Sequence, residues 1–275
     1  MPDVDAGPAE PAGPAEPAGS LGVSSHRLRV RYSKVGKVRY TGHRDVVRMW
    51  ERALRRSGLP LAWSEGFSPR PVVSFGLALP TGAESLAEYL DLSLRATPGP
   101  PAGLAPMLSA LLPVGVDVQT VAALPPGSRS LQQEVSSCSW RLEVLGLGPE
   151  ELATRVERVL AAPSVLVERH RKGRAVRDDL RPAVLGLVVA PPSGTPGTAG
   201  AASPGRGVWL HAELATRPRG VRPRELLQGL GTGVVLAGAC RSHQWIERDG
   251  ARWEPLAVTA GSTGPAAAHA TERAS

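Results

Sequence analysis

The sequence predicts an α+β fold made of two tandem ferredoxin-like (βαββαβ) units with disordered termini. In the first half, segments with alternating apolar residues and segments with helical apolar spacing follow one another as strand, helix, strand, strand, helix, strand. A similar order recurs in the second half of the 275-residue chain. We expect the units to span 26–126 and 136–254, each with a four-stranded sheet and helices on one face, and a cleft between them.

The first unit begins with an alternating segment, "HRLRVRYSKVG". Leu28, Val30 and Tyr32 share one side, which predicts a half-buried strand whose outer face is basic through Arg27, Arg29 and Arg31. Residues 43–58 show helical spacing, and Gly58 is typical of a helix end. Further strands are predicted at 59–64, 72–77, 87–95 and 116–124, with a second helix at 101–113.

The second unit is predicted from the same patterns. Strands are expected at 138–146, 164–170, 181–190, 207–216 and 239–248, and helices at 148–163 and 222–231. Three other segments, 1–25, 191–207 and 255–275, are rich in Pro, Ala, Gly, Ser or Thr and contain few apolar side chains to bury. We therefore expect them to be a disordered tail, a disordered insertion and a second disordered tail.

The charge of the chain is unevenly distributed. The formal net charge is +7, and between Arg27 and Arg56 eleven Lys or Arg residues face only Asp45 and Glu51. Such a cluster is typical of a protein that binds a polyanion, which here favours RNA. The alternative is a compositional bias towards Arg, Ala, Gly and Pro without a binding role.

Several classes of site are absent from the sequence. It has no phosphate-binding glycine motif, no Cys/His group with zinc spacing, no cysteine triplet for an iron–sulfur cluster and no GxSxG nucleophile motif. We therefore expect no metal, no cofactor and no catalytic activity of the chain alone. No apolar run is long enough to span a membrane and no signal peptide is visible, so we expect a cytoplasmic protein with reduced Cys138 and Cys240.

A short segment, "WSEGFSPRPVVSFG", contains both phenylalanines of the chain. Pro69 and Pro71 restrict the backbone, which predicts a pre-ordered loop that loses little entropy on binding. In this loop Phe67 is a candidate for stacking on a base and Arg70 for contacting a phosphate. The alternative is a connector in which Phe67 covers a small core. The complete set of candidate binding residues is Arg44, Arg48, Arg52, Arg55, Phe67, Ser68 and Arg70.

Residues 40–94 resemble the radical-SAM-linked protein family. The resemblance is carried by "GHRD", "ERALRRSGLPLAWSEGFSPRP", "SFGLALPTGAES" and "AEYLDL", and "KGRAVRDDLRP" is similar to the second half of the family. The family commonly has His-Leu-Asp where this chain has His43-Arg44-Asp45, and often Asn and His in place of Ser68 and Arg70. The resemblance implies a link to radical SAM chemistry. Because the chain has no cysteine motif for a cluster and is basic, we expect an accessory protein that presents RNA or a ribosome-associated target to a separate radical SAM enzyme.

Two other functions stay open at this stage. Tandem ferredoxin-like units are also the plan of metal-independent CRISPR-type RNA endonucleases, which the chain resembles in architecture only. In that case His43, flanked by Tyr40 and Lys37, would act on a ribose 2′-hydroxyl; otherwise its ring caps the first turn of a helix or contacts a ligand. The third possibility is an adaptor whose arginine face binds an acidic protein. The sequence leaves the oligomeric state open.

Overall fold

The computed structural model describes residues 26–171, 174–190 and 207–256. The predicted disorder of 1–25, of nearly all of 191–207 and of most of 255–275 falls on residues outside these ranges. The strands are β1 His26–Lys34, β2 Val73–Phe75, β3 Glu84–Leu94, β4 Val116–Leu124, β5 Val135–Leu145, β6 Leu166–Arg171, β7 Arg174–Asp179, β8 Val184–Val189, β9 Val208–Ala215, β10 Val235–Arg248 and β11 Ala251–Trp253. The helices are α1 His43–Arg56, α2 Leu104–Leu111, α3 Leu131–Glu134, α4 Pro149–Ala161 and α5 Pro223–Gly229.

A mixed sheet with few helices makes this an α+β fold, as the sequence predicts. Its strands lie in the order β4-β1-β3-β10-β5-β9-β8, and β2 and β11 pair with β3 and β10. The pairing of β3 with β10 is parallel, with Cys240 opposite Glu84 and Arg241 opposite Ser85, whereas the other pairings are antiparallel. The expected pair of separate four-stranded sheets is therefore replaced by one nine-stranded sheet.

Each half of the chain contributes a continuous part of this sheet. In the first half β4, β1, β3 and β2 are neighbours in that order. In the second half the order is β10, β5, β9, β8, and a separate hairpin of β6 and β7 is inserted between α4 and β8. Helices α1 and α2 belong to the first half, and α4 and α5 to the second.

Some elements differ from the sequence prediction. Residues 59–64 form only isolated bridges, Leu61 to Leu94 and Trp63 to Pro71, because Pro60 cannot donate to a strand ladder. The polar strand β7 was not predicted, since it lies in a mixed-charge segment without apolar alternation. The short helix α3 and the three-residue strand β11 were also missed.

Two apolar cores hold the helices on the sheet. In the first half the fully buried Trp50 of α1 packs edge-on against Tyr32 of β1, with ring centroids 5.0 Å apart. In the second half Leu152 of α4 and Leu226 of α5 are buried in a separate cluster with residues of β5, β8 and β9. None of the helices in the described part of the chain is long and apolar enough to cross a membrane.

The predicted basic outer face of β1 is wrong. Arg29 and Arg31 are buried, and their charges are paired rather than presented to solvent. Arg29 Nε donates to Asp91 Oδ1 at 2.8 Å, and Arg31 Nη1 donates to Glu254 Oε2 at 2.5 Å. Arg27, which is partly exposed, also donates to Asp91. These arginines therefore hold the sheet to the segments that cover it and add little to an external field.

Neutralising Asp91 should destabilise the protein strongly. Asp91→Asn leaves the buried guanidinium of Arg29 with Glu134, 3.4 Å away, as its remaining carboxylate. Loss of one partner of a buried ion pair costs about 3–5 kcal/mol, which urea unfolding measures. The control is Asp45→Asn, which removes a carboxylate from the exposed pair with Arg48 and should leave the free energy of unfolding nearly unchanged. Equal effects of the two substitutions would contradict this account.

The stability should also depend on His243 at mildly acidic pH. Burial lowers the pKa of His243, the Glu254 carboxylate opposes this effect, and Arg31 adds to it. The unfolded chain, with an ordinary histidine pKa of about 6.5, therefore binds a proton more readily than the folded protein. The stability contributed by the neutral ring is present above that pKa and is lost as pH falls through the lower folded value.

We expect His243→Gln to reduce the loss of stability between about pH 7.5 and about pH 5.5. Urea unfolding at the two pH values gives the difference for each protein. The parent should lose more of its free energy of unfolding than the variant. An identical pH dependence of the two proteins would show that His243 is not protonated on unfolding in this range.

Candidate nucleic-acid interface

Helix α1 presents its arginines to solvent because its other side is apolar. Val46, Trp50, Ala53 and Leu54 recur at helical spacing and are buried against the sheet. The remaining side forms the basic helix face, which we define as Arg44, Arg48, Arg52 and Arg55. All four residues are exposed, as the helical spacing predicts.

The four arginines of the basic helix face have different contacts. Arg48 lies 3.6 Å from the Asp45 carboxylate in an exposed pair, and Arg55 donates to the Pro69 carbonyl oxygen at 3.1 Å. The Arg55 guanidinium also lies over the Trp63 ring, 4.8 Å from its centroid. Among the described residues, Arg44 and Arg52 have no ion-pair partner, so their donors are available to a ligand.

The loop after α1 is closed by its own hydrogen bonds. We call residues 63–71 the aromatic loop. The Ser64 backbone N–H donates to Arg70 O at 2.8 Å, and the Arg70 N–H donates to Ser64 Oγ at 3.1 Å. Gly66 has a φ of +111°, which a residue with a side chain would adopt only under strain. The loop is therefore a fixed structure with Phe67 and Ser68 near its tip.

None of the residues that the structure describes covers the Phe67 side chain. Its side chain is fully exposed, while Ser68 and Arg70 beside it are also exposed. Arg70 lies 3.6 Å from the Glu51 carboxylate of α1, and the contact of Arg55 with Pro69 makes a second attachment. Both contacts tie the aromatic loop to α1, so the ring and the basic helix face have a defined relation.

The residues considered for catalysis lie at the other end of α1. His43 is the first residue of α1 and Gly42 is its N-cap, with no side-chain capping bond, so the predicted capping role of His43 is wrong. Its ring instead packs edge-on against Phe75, with centroids 5.5 Å apart. Tyr40 is exposed and its hydroxyl accepts a hydrogen bond from Arg39 at 2.8 Å, and Lys37 is exposed in the turn Gly36–Tyr40.

A cleft of about 1000 Å³ separates the two halves at this end of α1. Its first wall contains Arg39, Tyr40, His43 and residues 77–84. The opposite wall comes from β5, β9, β10 and residues 220–224. The predicted cleft between the halves is thus present, although the continuous sheet forms its base.

A buried ion pair joins the two walls below the cleft. Arg241 of β10 donates from Nη2 to Glu88 Oε1 at 2.5 Å, from Nε to the same oxygen at 3.1 Å, and from Nη2 to Leu77 O at 3.0 Å. The side chains are 2% and 8% exposed. Burial opposes the charge of Arg241, but the Glu88 carboxylate and the Cys138 side chain together outweigh it, so the pKa of the guanidinium is raised. Sequence reasoning missed this pair because its members are 153 positions apart.

Lys34 is a buried cation beneath the turn that precedes α1. Its Nζ donates to Thr41 O at 3.1 Å and to Arg39 O at 3.3 Å, which fixes the turn before α1. Burial lowers the pKa of Lys34, and Glu88 acts in the opposite direction.

The two cysteines near this region, Cys138 and Cys240, are free thiols whose pKa values are raised by burial. The described residues contain no group of three His, Cys, Asp or Glu side chains that is arranged to hold a metal ion.

Comparison with known proteins identifies a family. The model of a family described as "Uncharacterized protein conserved in bacteria (DUF2344)" matches residues 27–208, which is more than half of the chain. No curated protein matches the sequence. A chain in the crystal structure of a Cbf5-Nop10-Gar1 complex is similar at 10% identity with a TM-score of 0.43, covering 79% of this chain and 48% of that one. The present chain therefore spans about half the length of that solved chain.

Proposed function

Because the chain belongs to DUF2344, a family of uncharacterized bacterial proteins, we propose its function from its own surface. We propose that it is a basic module that binds single-stranded RNA through the basic helix face and the aromatic loop. It has no catalytic activity alone and presents the RNA to a separate radical SAM enzyme. The observation that carries the binding proposal is the fully exposed ring of Phe67 on a loop attached to α1.

An exposed phenylalanine in a fixed loop needs a physical explanation. Burying such a side chain stabilises a protein by about 1.5–3 kcal/mol, yet the contacts of Ser64, Arg55 and Glu51 hold this loop with Phe67 in solvent. A ring held in this way is ready to stack on a planar partner without further ordering. Stacking of a base on an aromatic side chain contributes about 1–3 kcal/mol, and it works with any base.

The charges next to the ring favour a nucleic acid over other planar ligands. Arg44 and Arg52 have no ion-pair partner among the described residues, and the pairs of Arg48 and Arg70 are long and exposed. Single-stranded RNA offers phosphates to these arginines and unpaired bases to Phe67. An acidic protein would use the arginines but would not need the exposed ring.

We also propose that the two halves of the chain are tandem ferredoxin-like units joined through the pairing of β3 with β10. The support is the strand order β4-β1-β3-β2 in one half and β10-β5-β9-β8 in the other. Each is a split arrangement in which the third strand of the unit lies between the first two. The partnership with a radical SAM enzyme is supported only by the family resemblance of residues 40–94 and 172–182.

Removing the Phe67 ring should weaken RNA binding without changing its salt dependence. We expect Phe67→Ala to raise the dissociation constant for a labelled RNA of about twelve nucleotides by about 1–3 kcal/mol in free energy. Fluorescence anisotropy measures the change. The control is Val188→Ala, which shortens an exposed apolar side chain on β8 in the other half and should bind RNA like the parent.

Removing an arginine should change the salt dependence instead. Arg52→Ala deletes one cation that is free to contact a phosphate, so the slope of log affinity against log salt should fall by about 1. Arg158→Ala, at an exposed position of α4, makes the same change in charge and should keep the parent slope. If Phe67→Ala and Arg52→Ala both bind like the parent, the loop is a connector and the acidic-partner adaptor is favoured. RNA cleavage without metal that is lost in His43→Ala would instead establish the endonuclease.

A further inference from the structure

Within the described part of the chain, the lining of the cleft between the halves carries more positive than negative charge. Four arginines and two glutamates contribute to its lining. Arg241 is paired with Glu88, and Arg39 with Glu84 at 3.2 Å. The other charged side chains of the lining are two arginines and one glutamate. Arg222 and Arg224 are exposed and have no ion-pair partner among the described residues, and Glu143 is the remaining carboxylate. The cleft therefore suits an anionic ligand.

Aromatic rings line the same cleft. Tyr40 on the first wall is 64% exposed, and the Arg39 guanidinium lies 4.8 Å from its ring centroid. Trp209 on the opposite wall is partly buried, with the Arg141 guanidinium 5.2 Å from its centroid. Each ring is thus supported by an arginine, and the exposed part of Tyr40 is available to a planar group. Rings and free cations together are the features that recognise a nucleotide.

The cleft is connected to the proposed RNA surface through α1. His43, the first residue of α1, lines the cleft, and Arg55 near the end of the helix contacts the aromatic loop. A helix of 14 residues spans about 20 Å. The basic helix face therefore leads from the aromatic loop towards the cleft. A strand whose phosphates follow these arginines reaches the cleft beside Tyr40.

We propose that the cleft between the halves binds one nucleotide of the RNA strand, with its base against Tyr40 and its phosphate held by Arg222 and Arg224. This inference rests on the proposed RNA-binding function and names the part of the substrate that is presented. Apolar side chains such as Leu79 and Val221 line the walls between the polar groups, as is usual in sites that enclose a small ligand. In this arrangement the walls of the cleft hold one nucleotide apart from its neighbours in the RNA strand.

The test uses adenosine 5′-monophosphate, which is too short to reach from the cleft to the aromatic loop. Equilibrium dialysis of the full chain should show binding in the range of roughly millimolar or tighter. Tyr40→Ala should weaken it about fivefold or more through lost stacking, and Arg224→Ala about tenfold or more through the lost charged contact. Arg158→Ala, at an exposed position of α4 outside the cleft lining, should bind the nucleotide like the parent. Tyr40 and Arg224 are exposed, and unchanged thermal unfolding of their variants would show that the fold is retained.

The outcomes separate this inference from the proposed function. If RNA binding depends on Phe67 but adenosine monophosphate does not bind, the cleft proposal is wrong and the RNA-binding surface stands. If the nucleotide binds equally well to Tyr40→Ala and Arg224→Ala, it occupies another place and the cleft proposal is also wrong. If the nucleotide binds with the expected losses while RNA shows no affinity, the cleft is a nucleotide site and the RNA-binding function fails.

Discussion

The ion pair between Arg241 and Glu88 fixes the relation of the two halves, and the cleft depends on it. The ladder between β3 and β10 contains only two paired positions, Cys240 with Glu84 and Arg241 with Ser85. The ion pair lies beside this short ladder, and Gln244 Nε2 adds a hydrogen bond to Ala87 O at 2.6 Å. Since a buried charge without its partner is costly, the two strands are held together where the backbone pairing is short. The relative positions of the two walls of the cleft therefore depend on this contact.

Charged side chains have two separate roles in this protein. On β1, Arg29 is enclosed with Asp91, and Arg31 with Glu254, so their charges serve the fold. On α1, Arg44 and Arg52 face solvent with no ion-pair partner among the described residues. The total charge of the segment from Arg27 to Arg56 therefore overstates the charge that a ligand meets. The exposed cations of that segment are Lys37, Arg56 and the four arginines of the basic helix face.

Local patterns predicted the elements well and the long-range contacts poorly. The alternation at 116–124 predicted β4, and the helical spacing after His43 predicted α1, with bounds close to the observed ones. Both patterns depend only on residues that are near one another in the sequence. Alternation also shows that Arg31 and Val30 lie on opposite faces of β1. It cannot show that Glu254, 223 positions away, covers Arg31. Phe67 and the arginines of α1 are close in the sequence, so the sequence alone indicated them as a candidate site. The sequence did not show that Arg222 and Arg224 line the same cleft as Tyr40, because that cleft forms where contacts between β3 and β10 join the two halves.

We propose that one RNA strand contacts both the aromatic loop and the cleft beside the start of α1. Ultraviolet crosslinking of single-stranded RNA to the full chain, with the attached peptides identified by mass spectrometry, tests this directly. We expect crosslinks in two peptides, one containing Phe67 and one containing Tyr40. Crosslinks confined to another surface, such as the exposed edge strand β8, would show that the RNA binds elsewhere.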